Sequence, residues 1–205
     1  MMRIISGRFR HRTLLANPGT TTRPILDRVK ESLFARLEHL LPNARVADVF
    51  SGTGTLGFEA LSRGARSCVF IESDKKAFEL LRKNVASLKL EDSTLCWATD
   101  ATRSSYRPKG VDEFVPFDVI FFDPPYSMVP ELQPGSPLSR SLERLARDDV
   151  SAPGAWLVLR TPEHSEYTVP DIWRKEWDLT MSNMTIDIFR KGDGAGSQPA
   201  PESET

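Results

Sequence analysis

Residues 46–61 read V-A-D-V-F-S-G-T-G-T-L-G-F-E-A-L. An apolar, β-type run carries Asp48 near its end and is followed by Gly52, Gly54 and Gly57. The spacing G-x-G-x-x-G between a strand and a helix makes a tight turn, lets the backbone approach a ligand closely, and packs the helix against the sheet. Downstream the pattern repeats. Strands are expected near 45–50, 67–72, 94–98, 117–122 and 155–160, with helices near 55–63, 74–88 and 138–147. Such alternation implies βαβ units, right-handed crossovers and a parallel sheet with helices on both faces. At the end, 173–181 and 184–190 read as an antiparallel hairpin turning at Ser182-Asn183.

Upstream, residues 3–16 alternate apolar and basic residues around Ser6-Gly7 and read as a β-hairpin. Pro24 is placed to open a helix. In that helix Leu26, Val29, Leu33, Leu37 and Leu40 recur at helical spacing, and Pro42 ends it. Residues 127–137 hold three prolines and little periodicity, as expected of a mobile loop. The Gly/Pro/Ser-rich, acidic stretch 192–205 is expected to be a disordered tail.

The 205 residues suffice for one domain with a sizeable core, and 40% hydrophobic with 27% charged residues is an ordinary globular composition. No apolar run approaches the ~20 residues of a membrane span. The opening M-M-R-I-I-S-G-R-F-R is charged at once, so it has no signal-peptide core, and a cytoplasmic location is expected. Cys68 and Cys96 are far apart and read as reduced thiols; His11, His39 and His164 are scattered, so no zinc or other metal is expected. The net charge of −1 hides an asymmetry. Residues 1–30 hold seven Lys/Arg against Asp27 alone, a charge of +6 that leaves −7 for the rest. A basic arm on an acidic body is either a handle for a polyanion or a solvated extension.

Three acids fall at successive strand ends: Asp48, Glu72 and Asp100. Glu72 lies twenty residues beyond Gly52, where a carboxylate accepts hydrogen bonds from ribose hydroxyls. In dinucleotide enzymes the glycine turn receives a pyrophosphate. Asp48 would repel that anion and suits a cation instead. S-adenosylmethionine carries an ammonium and a sulfonium and no phosphate. Asp48 is therefore expected to hold the ammonium, directly or through water, Glu72 the ribose and Asp100 the adenine amine, with Ala101 packed on the ring. Phe50, Ser51, Gly52, Thr53, Gly54 and Ser73 complete the expected cofactor set.

The fourth strand of this series ends V-I-F-F-D-P-P-Y. A planar exocyclic amine is a poor nucleophile because its lone pair is delocalised into the ring. Two fixed acceptors, the Asp123 carboxylate and the Pro124 carbonyl, would take its hydrogens and turn the lone pair toward a methyl group. Pro124 and Pro125 make the tip rigid, and Tyr126 offers a face for a flipped base. Positioning and electrostatics would supply most of the rate.

These residues resemble the class I S-adenosylmethionine-dependent methyltransferases with a D/N-P-P-Y/F motif. More closely, the chain is similar to the RsmD family of bacterial 16S rRNA guanine-N2 methyltransferases. The resemblance covers roughly residues 3–190. It rests on R-I-I-S-G-R-F-R-H-R-T-L, R-P-I-L-D-R-V-K-E-S-L-F, the glycine unit, F-I-E-S-D and F-F-D-P-P-Y. It implies a Rossmann-like α/β fold: a seven-stranded, mostly parallel sheet with the last strand antiparallel. It also implies a basic arm (1–22), a methyltransferase domain (23–191) and a monomer acting on 16S rRNA in the small subunit. The charge of the arm makes Arg8, Arg10 and Arg12 RNA-contact candidates, and the resemblance makes Arg23, Asp27 and Arg28 candidates for RNA or cofactor contacts. Two departures stand out: Ile25 and Leu26 replace threonines usual after R-P, and Leu159-Arg160-Thr161 stands where the family tends to carry an acid.

The alternatives are a DNA or RNA adenine-N6 methyltransferase, an NAD-dependent oxidoreductase and a non-catalytic RNA-binding module. The lack of a separate target-recognition domain opposes a DNA methyltransferase. Asp48 and D-P-P-Y oppose the oxidoreductase, and the intact motifs oppose the module.

Overall fold

The computed structural model describes residues 2–16 and 25–192. Arg23, Pro24 and all but the first residue of the expected tail lie outside them. Among the described residues, nine strands and four α-helices follow one another. Strand β1 (Met2–Arg3) pairs antiparallel with β2 (Thr13–Leu14). Helix α1 (Asp27–Leu37) leads to β3 (Arg45–Val49), α2 (Thr55–Ser62), β4 (Ser67–Glu72), α3 (Lys75–Leu88) and β5 (Thr94–Ala98). Then come β6 (Phe117–Phe122), α4 (Pro137–Leu145), β7 (Ser151–Pro162), β8 (Trp173–Met181) and β9 (Met184–Lys191).

The last seven strands form one sheet in the order β5-β4-β3-β6-β7-β9-β8. Its first five strands are parallel, and β9 runs antiparallel to both β7 and β8. The chain steps outward from β3 to β5, then returns and steps the other way from β6. The order therefore reverses between β3 and β6, and ligands in such sheets bind beyond the strand ends at that crevice.

Period-2 alternation assigns each strand residue to one of two cores. Val46, Phe70, Phe121, Val158 and Ile188 pack with α1, α2 and α3, while Val49, Ile71, Ile120, Phe122 and Leu159 pack with α4 and the 101–117 segment. The sheet is covered on both faces, which is why its central strands are almost wholly apolar.

Several expectations shift. α1 starts at Asp27, and Leu26, expected in the core, is 47% exposed. The N-terminal hairpin has two-residue strands and turns over Ser6–His11 rather than tightly at Ser6-Gly7. Residues 127–137 are not an irregular loop. Tyr126–Glu131 form a 3-10 turn pinned by buried Val129 and Leu132, and Ser136 caps α4. β7 begins four residues early, because Ser151 pairs with Phe117 before a register shift.

The N-terminal ribbon is anchored by a charged hub. Glu59, fully buried in α2, accepts the Ile5 and Ser6 N–H groups at 2.9 and 3.1 Å and pairs with Lys30 at 3.3 Å and Arg63 at 2.9 Å. Burial lowers the Lys30 ammonium pKa despite Glu59 beside it. Gly7, at φ +80°, lies so close to α2 that a Cβ there would fall 1.9 Å from the Ser62 carbonyl oxygen. Only glycine meets both demands.

Candidate active site at the strand tips

The turn after β3 is built by its glycines in different ways. The Gly54 N–H donates to the Ser51 carbonyl at 2.8 Å, closing the turn. A Cβ on Gly57 would meet Phe70 at 2.3 Å and Cys68 at 2.6 Å, so this glycine serves helix–sheet contact. A Cβ on Gly54 would meet Phe58 at 2.5 Å and Leu81 at 2.7 Å. Of the three, Gly52 has nothing within 4 Å of its Cβ position among the described residues. Phe50 holds φ 61°, an unusual conformation for a bulky residue, with its ring edge-on to Phe122. Thr53 is buried, and its carbonyl accepts from the Asn84 amide at 3.0 Å.

The three acids take different settings. Asp48 is 1% exposed and accepts the Gly57 N–H at 2.9 Å. Burial pushes its carboxyl well above the usual range; the Gly57 N–H opposes this, and the Asp123 and Glu72 charges add to it. Glu72 bridges two loops, accepting Gly52 N–H and Asp74 N–H, each at 2.7 Å. Asp100 is exposed and accepts the Thr102 N–H and hydroxyl, both at 2.8 Å. Ala101 is buried in the core. Its carbonyl accepts the Tyr106 and Ser141 hydroxyls at 2.7 and 2.9 Å, which fixes the tip on which Asp100 stands. Ser73 is exposed beside Glu72.

These residues fit a cationic, phosphate-free ligand. Gly52 leaves room, and the buried Ser51 hydroxyl has no hydrogen-bond partner among the described residues. The three carboxylates come from the ends of neighbouring strands.

Asp123 follows β6 on the other side of the crevice, its N–H bonded to the Val49 carbonyl at 3.2 Å. Pro124 is buried, and the Pro125 carbonyl accepts the Met128 N–H at 2.8 Å, opening the 3-10 turn that carries Tyr126. The residue that sequence reasoning left without a role is Arg160 of β7. Its Nε and Nη2 donate to the two Asp123 oxygens at 2.7 and 2.8 Å, and its guanidinium carbon lies 5.7 Å from the Tyr126 ring centre. Two signals pointed to it: the arginine's place in an apolar strand, since buried arginines are rare unless paired, and its standing where the family tends to carry an acid.

The arginine candidates separate. Arg28 stands at the catalytic edge, its Nη2 donating to Ser182 in the β8–β9 turn at 3.0 Å. Arg8 donates its N–H to Ser62 at the end of α2, and Arg12 donates its guanidinium N–H to Ser87 near the end of α3. Both helices run back from the strand tips, so the turn that carries Arg8, Arg10 and Arg12 lies toward the opposite sheet edge. The six residues of β4 put the two edges about 20 Å apart. Arg23 is outside the described residues.

A switch-point crevice with acids on three strand tips and D-P-P-Y on a fourth defines a class I methyltransferase architecture. Comparison with known proteins agrees. The sequence model of the family described as Conserved hypothetical protein 95 matches residues 2–189, and the chain belongs to that family, the RsmD-type methyltransferases. It is 32% identical over 190 residues to Ribosomal RNA small subunit methyltransferase D of Haemophilus influenzae, covering 92% of this chain and 93% of that one. The solved structure of yhhF from Escherichia coli superposes with a TM-score of 0.76 at 28% identity, covering 93% of this chain and 98% of that one. An RNA methyltransferase from Salinibacter ruber in complex with S-adenosyl-L-homocysteine shares the fold, with a TM-score of 0.60 at 15% identity and 86% and 98% coverage.

Proposed function

We propose that this chain methylates the exocyclic N2 amine of a guanine in 16S rRNA, using S-adenosylmethionine. It acts as a monomer, in the cytoplasm, on the small subunit or a late assembly intermediate. The observation that carries this reading is the placement of Asp123. It directly follows a central strand at the switch point, next to the strand that carries the acid-lined cofactor turn, and its side chain is partly exposed. Kinship with the rRNA methyltransferase of Haemophilus influenzae supports rRNA as the substrate class.

S-adenosylmethionine, when bound, supplies an electrophilic methyl group on a sulfonium. Asp48 sets the charge that favours its ammonium, Glu72 and Ser73 hold the ribose end, and Asp100 and Ala101 the adenine end. Phe50, Ser51, Gly52, Thr53 and Gly54 shape the turn between them. On the substrate side, Asp123 and the Pro124 carbonyl accept the two amine hydrogens, which favours a pyramidal nitrogen. Pro125 keeps that corner rigid, and Tyr126 stacks on the base. The proton lost from the methylated amine passes to Asp123 or water. Arg23 and Arg28 meet RNA, Arg28 doing so at the catalytic edge, and Arg8, Arg10 and Arg12 extend the footprint toward the far edge of the sheet.

The test is transfer of labelled methyl groups from S-adenosylmethionine to small subunits from a strain lacking this enzyme. Label in 16S rRNA is the expected result. No label in small subunits or in assembly intermediates would contradict the proposal.

A further inference from the structure

We infer that Arg160 is a positioning residue for the methyl acceptor: it locks the Asp123 carboxylate so that only its outward lone pairs meet the substrate amine. The inference rests on the reading of Asp123 given above and adds a residue to it. The pair is asymmetric. The Arg160 side chain is 6% exposed and that of Asp123 17%, so the cation is sealed in the protein and the anion keeps some accessible surface. Burying a guanidinium is costly unless it is paired and hydrogen-bonded. Here a two-pronged fork meets both oxygens within 2.8 Å, the strongest geometry the two groups offer.

The fork has two consequences for Asp123. It fixes the carboxylate plane, because both oxygens are held from a strand paired with β6 through Phe122↔Leu159. It also uses two of about four acceptor positions on the carboxylate, leaving the outer pair for hydrogens from the crevice. An amine that reaches Asp123 therefore meets acceptor positions that are fixed in space. Burial lowers the Arg160 pKa, but the neighbouring Asp123 charge and hydrogen bonds outweigh it and the net shift is upward, so the guanidinium stays charged. The same guanidinium lies by the Tyr126 ring. One buried, planar side chain thus fixes the acceptor, which a flexible, strongly hydrated lysine would do less well.

The experiment compares wild type, Arg160→Gln, Arg160→Lys, Asp123→Asn and the Asp123→Asn/Arg160→Gln double variant. Turnover on small subunits is measured alongside calorimetric affinity for S-adenosylmethionine, and the Arg160 Nε–H signal is followed by 15N NMR in the cofactor-free protein. Arg160→Gln is expected to lower kcat about 10–100-fold, a range typical for misplacing a positioned group, with KM and cofactor affinity changed less than about threefold. Arg160→Lys should fall between, and it keeps the test open if Arg160→Gln folds poorly. The double variant should be no slower than Asp123→Asn, because Arg160 acts through Asp123. The Nε–H signal should be protected from exchange in wild type and lose that protection in Asp123→Asn. Wild-type or faster turnover in either Arg160 variant would overturn the inference, as would multiplicative effects in the double variant. If wild type methylates no rRNA, the functional reading fails instead, and the Nε–H signal still reports on the pair: protection that depends on Asp123 supports the lock, and its absence overturns it.

Discussion

Arg160, only 5% exposed, holds both carboxylate oxygens of Asp123 from the neighbouring strand, at 2.7 and 2.8 Å. Asp123 is therefore both the proposed acceptor for the substrate amine and the counter-charge of a sealed cation. Asp123→Ala is expected to abolish methyl transfer while S-adenosylmethionine still binds. It should also destabilise the fold by about 3–5 kcal/mol, the cost of leaving a buried charge unpaired. Urea unfolding and calorimetry read the two effects separately; retained turnover would remove the proposed role.

Asp48 predicts a pH dependence. Its raised carboxyl pKa means that the folded protein holds a proton where the unfolded chain has lost it. Its contribution to stability is present at low pH and falls away as pH rises from the ordinary carboxylate range through the raised value. A bound cation favours the ionised form, so cofactor binding below the raised value releases a proton. Affinity for S-adenosylmethionine should weaken as pH is lowered, with proton release visible by calorimetry in buffers of different ionisation enthalpy. Asp48→Asn should lose that linkage. A wild-type protein that binds without proton exchange across the range would place the ammonium elsewhere.

Glu59 predicts how the ribbon is held. It joins α2 to Ile5 and Ser6 and neutralises buried Lys30. Glu59→Ala should cost about 3–5 kcal/mol, and hydrogen exchange at residues 4–14 should accelerate more than in the central strands. Uniform protection would show that the apolar contacts of Ile4 and Leu14 suffice alone.

The far-edge arginines predict a salt effect. Replacing Arg8, Arg10 and Arg12 with alanine should weaken binding to small subunits and lower the salt slope by about one for each phosphate no longer neutralised. An unchanged slope would take that edge out of the RNA interface.

The βα rhythm of residues 45–122 was legible because each strand is apolar and each helix is bounded by turn residues. Gly57 could be assigned to packing from its spacing, and the structure shows Phe70 and Cys68 pressed against it. The Asp123–Arg160 pair was not legible. The two residues are 37 positions apart, and only the parallel pairing of β6 with β7 brings them together. The hub at Glu59 was hidden for the same reason: an acid in an apolar helix reads as an exception until Lys30, Arg63 and the ribbon arrive around it. In residues 127–137 the prolines masked Val129 and Leu132, whose burial orders the segment. The basic arm could be counted from the sequence, but its placement behind the catalytic edge depends on the Gly7–Ser62 contact.

The central claim is the identity of the methylated atom. Small subunits from the deletion strain, incubated with the enzyme and labelled S-adenosylmethionine, can be digested to nucleosides and analysed by mass spectrometry. The label is expected in N2-methylguanosine; label in N6-methyladenosine would contradict the proposed function.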